Sequence, residues 1–237
     1  MISLRDIESF YAEHGYAEQD YANFHKYRYC YLVNELLILV DGRADLRLLD
    51  VGPFYQTALI RHYFPTLQVN TLGFNKPEND LGAGETHWTV DLNATELFNQ
   101  RAEVGQHQLV VFSEVLEHLY TPPETVLAFL AGFVSPGGFL LLQTPNAVSL
   151  VKRLYMLMGR NPFELISSGR PNHFREYTSR ELTGFLEGAG LEVCSVSLQN
   201  YFNPDKTLLQ RLFRISGRVL PPQLRDGITI VARKNQF

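Results

Sequence analysis

Short apolar runs of strand length recur along this chain, each followed by a stretch of helical character. That alternation limits the possible folds more than any other feature. Leu46-Arg47-Leu48-Leu49-Asp50-Val51-Gly52 is an apolar run closed by an acid and a glycine, as expected of a first buried strand in a parallel sheet. Leu67–Gly73, Trp88–Leu92, Gln108–Ser113 and Phe139–Thr144 read as four more strands, and Leu191–Leu198 and Ile228–Arg233 as the last two. Thr57–Tyr63 and Pro122–Ala131 read as helices. The second opens on two prolines, whose missing amide donors cost nothing at a helix start. Ser135-Pro136-Gly137-Gly138 reads as a turn into the fifth strand. Ser179–Ala189 is a helix capped by Thr178 or Ser179 and closed by Gly188 and Gly190. The expected architecture is α/β: a seven-stranded, mostly parallel sheet with helices on both faces and right-handed crossovers.

Three segments stand outside the alternation. Residues 1–45 are expected to form an N-terminal helical cap, with a break near Gly15 and a long helix from about Tyr21 to Val40, stopped by Asp41-Gly42. The main domain, 46–237, carries an insert at about 147–172 that reads as a lid. A second insert, at about 200–226, sets Lys206, Arg211, Arg214 and Arg218 beside Leu208, Leu209, Leu212, Phe213 and Ile215. It reads as an amphipathic surface helix packed on the sheet, with peripheral membrane contact as the lesser alternative.

Composition narrows the partners. The chain of 237 residues is 45% hydrophobic, enough for one large core. Its formal net charge is −4, and without a continuous Lys/Arg stripe it has no electrostatic reason to seek nucleic acid. Cys30 and Cys194 lie too far apart for a metal motif and are expected as two buried free thiols in a reducing compartment. The opening residues carry early acids and are not expected to form a signal peptide. No apolar stretch approaches the roughly 20 residues of a membrane-spanning helix, so a soluble, cytoplasmic protein is expected.

The order of LLDVG, VDLN, LVVFSEVLEHL, SPGGFLLLQTPN and NHFREYTSRELTGFLEGAGLEV resembles class I S-adenosylmethionine-dependent methyltransferases. The likeness spans about residues 46–199. Within the class it is similar to the branch of ubiquinone-pathway O-methyltransferases, small-RNA 2′-O-methyltransferases and bacterial sugar or natural-product methyltransferases. The resemblance implies the Rossmann-like fold and S-adenosylmethionine as cofactor. It implies Asp50 and Gly52 in the turn that holds the methionine part, Asn75 at the ribose, Asp91 at the adenine and Ser113 at the end of the fourth strand. The family's turn has the form acid-x-Gly-x-Gly-x-Gly; here Phe54 and Gln56 replace the second and third glycines, and Pro53 and Phe54 stiffen and fill the space. Asn75 replaces the usual acid, so its bond to a ribose is weaker. For Asp91, a helix N-cap role is a nearly equal alternative.

Glu114-Val115-Leu116-Glu117-His118 follows the fourth strand directly. Positions i, i+3 and i+4 would share one face of a helical turn. Two carboxylates and an imidazole suit a divalent cation, and His173 offers a fourth ligand. The resemblance implies such a set, Glu114, Glu117, His118 and His173, in the metal-assisted O-methyltransferases. Without a metal, His118 is the leading general base, His173 the next, and Glu114 contacts ligand. Asn146 is expected either to bond substrate or to bond locally in a turn; Arg175 and Tyr177 either line the pocket or pair on the surface.

The expected activity is methyl transfer to an oxygen of a small acceptor: a sugar, a natural product or a quinone-like phenol. A binding or scaffold protein that kept the fold and lost the cofactor is the alternative.

Overall fold

The computed structural model describes residues 1–74, 81–97, 101–168, 172–202 and 221–236. Helices α1 (Leu4–Glu13) and α2 (Asp20–Val40) precede β1 (Arg47–Val51), α3 (Tyr55–Tyr63), β2 (Gln68–Gly73) and β3 (His87–Thr89). Then come α4 (Arg101–Val104), β4 (His107–Ser113), α5 (Pro123–Ala131), β5 (Val134–Pro145), α6 (Leu150–Leu157), α7 (Ser179–Gly188), β6 (Leu191–Gln199) and β7 (Gly227–Lys234). The seven strands form one sheet in the order β3-β2-β1-β4-β5-β7-β6. Its first five strands run parallel, and β7 is antiparallel to both β5 and β6.

Strand parity builds the layers, because successive side chains point to opposite faces. Leu48, Val69, Leu109, Val111, Leu141 and Val231 join the core formed with α1, α2 and α3. Leu49, Val51, Val110, Phe112, Leu140 and Leu142 face the other way, onto α5 and α7. The N-terminal helices therefore share a core with the sheet. Ser3 starts α1 with a reciprocal cap to Asp6, and Asp41 and Gly42, both at positive φ, end α2.

Two expected strand boundaries move. The Ser135–Gly138 turn is absorbed into β5, where Val134 pairs with His107 and pairing resumes at Phe139 opposite Leu109 after a register shift. Gly137, at φ 76°, permits that irregularity within a continuous strand. In contrast, β3 stops early: the Asp91 carboxylate accepts the Asn93 amide at 2.8 Å and turns the chain into a 3-10 helix over Leu92–Leu97.

The thiols also differ from expectation, since Cys30 is half-buried and Cys194 exposed, because β6 is an edge strand. Of the amphipathic insert, residues 203–220 lie outside the described residues. Among those described, no helix is long and apolar enough to cross a membrane.

Candidate active site

Chain order reverses between β1 and β4, and such a switch point opens a crevice beyond the carboxyl ends of the strands. Gly52 turns there at φ 76°, and a Cβ on it would lie 2.4 Å from Val115 Cγ2. Asp50 is fully buried. It accepts Thr57 Oγ1 at 2.6 Å and Gln56 Nε2 at 3.4 Å, and burial raises its pKa to about 6 against those bonds. Gln56, standing where the family has glycine, also donates to the Gly52 carbonyl at 2.9 Å. Phe54 is 51% exposed and packs edge-on against Tyr21 at 5.0 Å, so its ring is not buried in the crevice.

After β4 the chain does not make the helical turn expected of Glu114–His118. Glu114 takes φ 55°, held by its amide donating to the Gln143 carbonyl at 2.8 Å, and a 3-10 helix follows at Leu116–His118. Glu117 is fully buried, with its Oε2 accepting Thr144 Oγ1 at 2.9 Å. Oε1 of Glu114 and Oε1 of Glu117 are buried without a hydrogen-bond partner among the described residues. Burial first, and the neighbouring Glu117 charge second, push the Glu114 carboxyl well above the ordinary range. Burial also raises Glu117, against its bond from Thr144.

Asn172, at the end of the 147–172 insert, orients His118: Nδ1 donates to the Asn172 carbonyl at 3.0 Å. His173 packs edge-on against His118 with ring centroids 4.6 Å apart. Its Nδ1 lies 3.4 Å from Glu176 Oε1, and burial, then His118, lowers its pKa to about 4. Glu176 also pairs with Lys152 of α6. Glu117, His118 and His173 each bring one donor atom within 4.8 Å of the others. Glu114 stands outside this triple, because its left-handed backbone breaks the expected i, i+3 face. One carboxylate and two imidazoles, each with Nδ1 already engaged, leave Nε2 as the ligating atom of both rings. The donor set, with the orphaned Glu117 oxygen, fits a divalent ion. Beside His173 opens a cavity of about 400 Å³ walled by Phe163, Ile166, Phe174, Arg175 and Glu176 among others.

The sequence did not disclose what α2 contributes. Tyr21, His25 and Arg28 lie at i, i+4 and i+7, one helical face. Arg28 is buried, donating Nε to His25 Nδ1 at 3.2 Å and Nη1 to Ser113 Oγ. Burial opposes the Arg28 charge, yet Tyr29 and the Glu114 carboxylate raise its pKa on balance. Burial, then Arg28, lowers the His25 pKa to about 2. Ser113 passes the chain of bonds to Gln143 at 3.0 Å, and Gln143 to Thr229 at 3.0 Å. The only trace in the sequence is three polar or aromatic residues on a face that otherwise reads as core.

A family model described as a methyltransferase domain matches residues 21–196, well over half of the chain. The chain belongs to the methyltransferase-domain family. Among solved structures, this methyltransferase-domain chain is similar to a SAM-dependent methyltransferase from Archaeoglobus fulgidus, with TM-score 0.53 and 14% identity over 86% of this chain and 94% of that one. It is also similar to 1,6-didemethyltoxoflavin-N1-methyltransferase from Burkholderia thailandensis, solved with S-adenosylhomocysteine, with TM-score 0.56 and 14% identity over 98% and 87%. A third is a putative sarcosine dimethylglycine methyltransferase from Galdieria sulphuraria, with TM-score 0.56 and 11% identity over 98% and 99%. At these identities the likeness shows the fold, which is the Rossmann-like class I methyltransferase fold. No curated protein matches.

In this methyltransferase domain the other expected site residues divide. Asn75 lies outside the described residues. Asp91 caps the 3-10 helix with Oδ1. The hydroxyl of Ser113, the residue expected at the cofactor, is engaged by Arg28 and Gln143 in a buried position. Asn146 is structural: its Nδ2 donates to the carbonyls of Gln223 and Arg225 at 3.1 and 2.7 Å. Tyr177 is buried in the core, and Arg175 pairs with Glu181 at 2.7 Å while walling the cavity.

Proposed function

We propose that this chain transfers the methyl group of S-adenosylmethionine to an oxygen of a small-molecule acceptor, with His118 taking the acceptor proton. The carrying observation is the bond from His118 Nδ1 to the Asn172 carbonyl. A carbonyl only accepts, so Nδ1 holds the hydrogen and Nε2 is the basic position. The ring packs on His173, which lines the cavity that would take a sugar, a natural product or a quinone-like phenol.

S-adenosylmethionine would supply an electrophilic methyl group on a cationic sulfonium. The orphaned carboxylate oxygens of Glu114 and Glu117 suit positive charge, and the Arg28 guanidinium suits a carboxylate. Gly52, Asp50, Asn75 and Asp91 would hold the remainder. Alignment of acceptor and methyl group by these residues would supply much of the acceleration.

A metal-assisted version is favoured by one specific observation, the convergence of Glu117, His118 and His173. A divalent ion there would lower the pKa of the acceptor hydroxyl, and His118 would then serve as ligand.

Calorimetric titration with S-adenosylhomocysteine tests the reading. Binding is expected, retained in His118→Ala while transfer to an accepted substrate falls about 100-fold or more. No binding at millimolar ligand would leave a non-catalytic scaffold instead.

A further inference from the structure

A helix held on a folded body ordinarily buries one face, yet α6 has no buried residue. Leu150, Leu154, Leu157 and Met158 recur at i, i+4, i+7 and i+8 and form one apolar stripe. Lys152 lies on the opposite side, where Nζ meets the Asn146 carbonyl at 3.2 Å and the Glu176 carboxylate. That anchor ties the Lys152 side of α6 to the body and turns the stripe outward. Leu157 is 82% exposed, and Leu165, in the segment after α6, is 87% exposed. Apolar exposure concentrated in one short segment marks an interaction surface, unlike scattered single residues.

Charge selects the partner. Arg153 flanks the stripe and Arg160 follows it, both exposed, against a chain whose net charge is −4. The one acid of the segment, Glu164, walls the cavity. Arginines bordering an apolar stripe suit an interface of hydrocarbon and phosphate, where the stems lie on the apolar side and the guanidinium groups reach the headgroups. A two-fold contact with a second copy would set two arginine-bordered stripes of like charge against each other. Closure of α6 over its own cavity would require the Lys152–Glu176 pair to break.

We propose that residues 150–166 dock this protein on an anionic membrane surface. The apolar stripe enters the headgroup boundary, and Arg153 and Arg160 meet lipid phosphates. Docking does not depend on the methyl-transfer reading. One consequence does: Phe163 and Ile166 wall the cavity beside His173, so docking sets the mouth of the acceptor site at the lipid interface.

Co-sedimentation with vesicles of mixed phosphatidylglycerol and phosphatidylcholine, compared with phosphatidylcholine alone, tests the docking. Partition into the anionic vesicles is expected, weakened by salt. It should fall by about tenfold or more in Leu157→Asp/Leu165→Asp, and likewise in Arg153→Glu/Arg160→Glu. Both variants change exposed side chains, so an unaltered Tm is the control for folding. Failure of the wild-type chain to sediment with anionic vesicles, or equal partition by both double variants, overturns the proposal. So does a dimer that Leu157→Asp/Leu165→Asp splits in the absence of vesicle binding. Titration of the same samples with S-adenosylhomocysteine separates the two proposals. Vesicle binding without ligand binding removes only the transferase reading, and the reverse removes only the docking surface.

Discussion

Arg28 on α2 donates to the hydroxyl of Ser113 at the end of β4, across 85 residues of chain. Parity explains the meeting: Leu109 and Val111 face α2, so Ser113 does as well. Ser113, Gln143 and Thr229 are also in register on β4, β5 and β7, so one buried guanidinium closes a polar row across three strands. Removing it leaves Ser113 with a lost donor and the Glu114–Glu117 pair without its buried counter-charge. Arg28→Met is expected to cost about 2–4 kcal/mol in urea denaturation. Arg28→Lys should recover only part, since one ammonium cannot reproduce the two-point bond to His25 and Ser113. Equal stability of Arg28→Met and wild type would refute the role.

Gly52 is required twice over, by its positive φ and by the approach of Val115. Gly52→Ala is expected to destabilise by about 2–4 kcal/mol. Adding Val115→Ala relieves the collision but not the backbone strain, so the double variant should fall between the two in chemical denaturation. A neutral Gly52→Ala would contradict the turn described.

If Glu117, His118 and His173 hold an ion, calorimetric titration with Mn²⁺ should show one site per chain. His118→Ala and His173→Ala should each weaken it by at least about tenfold, and Glu176→Gln, which meets the three ligands only through His173 Nδ1, by less. Transfer unaffected by chelator, with no Mn²⁺ heat, leaves His118 as the base.

Asp226 titrates at about 7 in the fold, because burial outweighs the bonds it accepts from the Tyr201 and Phe202 amides. Unfolded, it would titrate near 3.8. Between those values the native state binds a proton that the unfolded chain has released, so stability falls as pH rises through this window, by a few kcal/mol at most. Asp50, raised to about 6, acts in the same direction. Asp226→Asn keeps the acceptor for the Tyr201 amide at 2.7 Å and should flatten the profile. Denaturation at about pH 5 and about pH 8 measures it; an unchanged slope would show that Asp226 does not titrate there.

The two thiols should separate kinetically. Cys194 is exposed and Cys30 half-buried with a pKa raised by burial. A thiol-disulfide reagent on the native protein should give a fast phase lost in Cys194→Ser and a slow phase lost in Cys30→Ser. A single phase would mean that Cys30 is open to solvent.

Much of this was legible beforehand, for reasons visible in single elements. Leu48–Val51 and Leu109–Phe112 are buried on both faces of parallel strands, and such burial leaves a largely apolar string in the sequence. Glu117, His118 and His173 stand out as chemistry-bearing residues beside a strand end. Glu114 misled, because a helical spacing was assumed where its own amide is taken by Gln143. Asn146 makes the local turn bond, accepting the Val148 amide at 3.1 Å, but its tie to the Arg225 carbonyl and that of Ser113 to Arg28 span 79 and 85 residues respectively and left no local signal.

The sequence by itself determined the order of strands and helices, the burial of the central strands and the polar cluster after β4. All of these follow from periodicity within a few residues. The tertiary structure decided which of those polar groups meet. It brought Arg28 under Ser113, set Asn172 against His118 and turned the apolar stripe of α6 outward. Contacts between layers depend on how whole elements stack, and local periodicity holds no record of the partner across the gap.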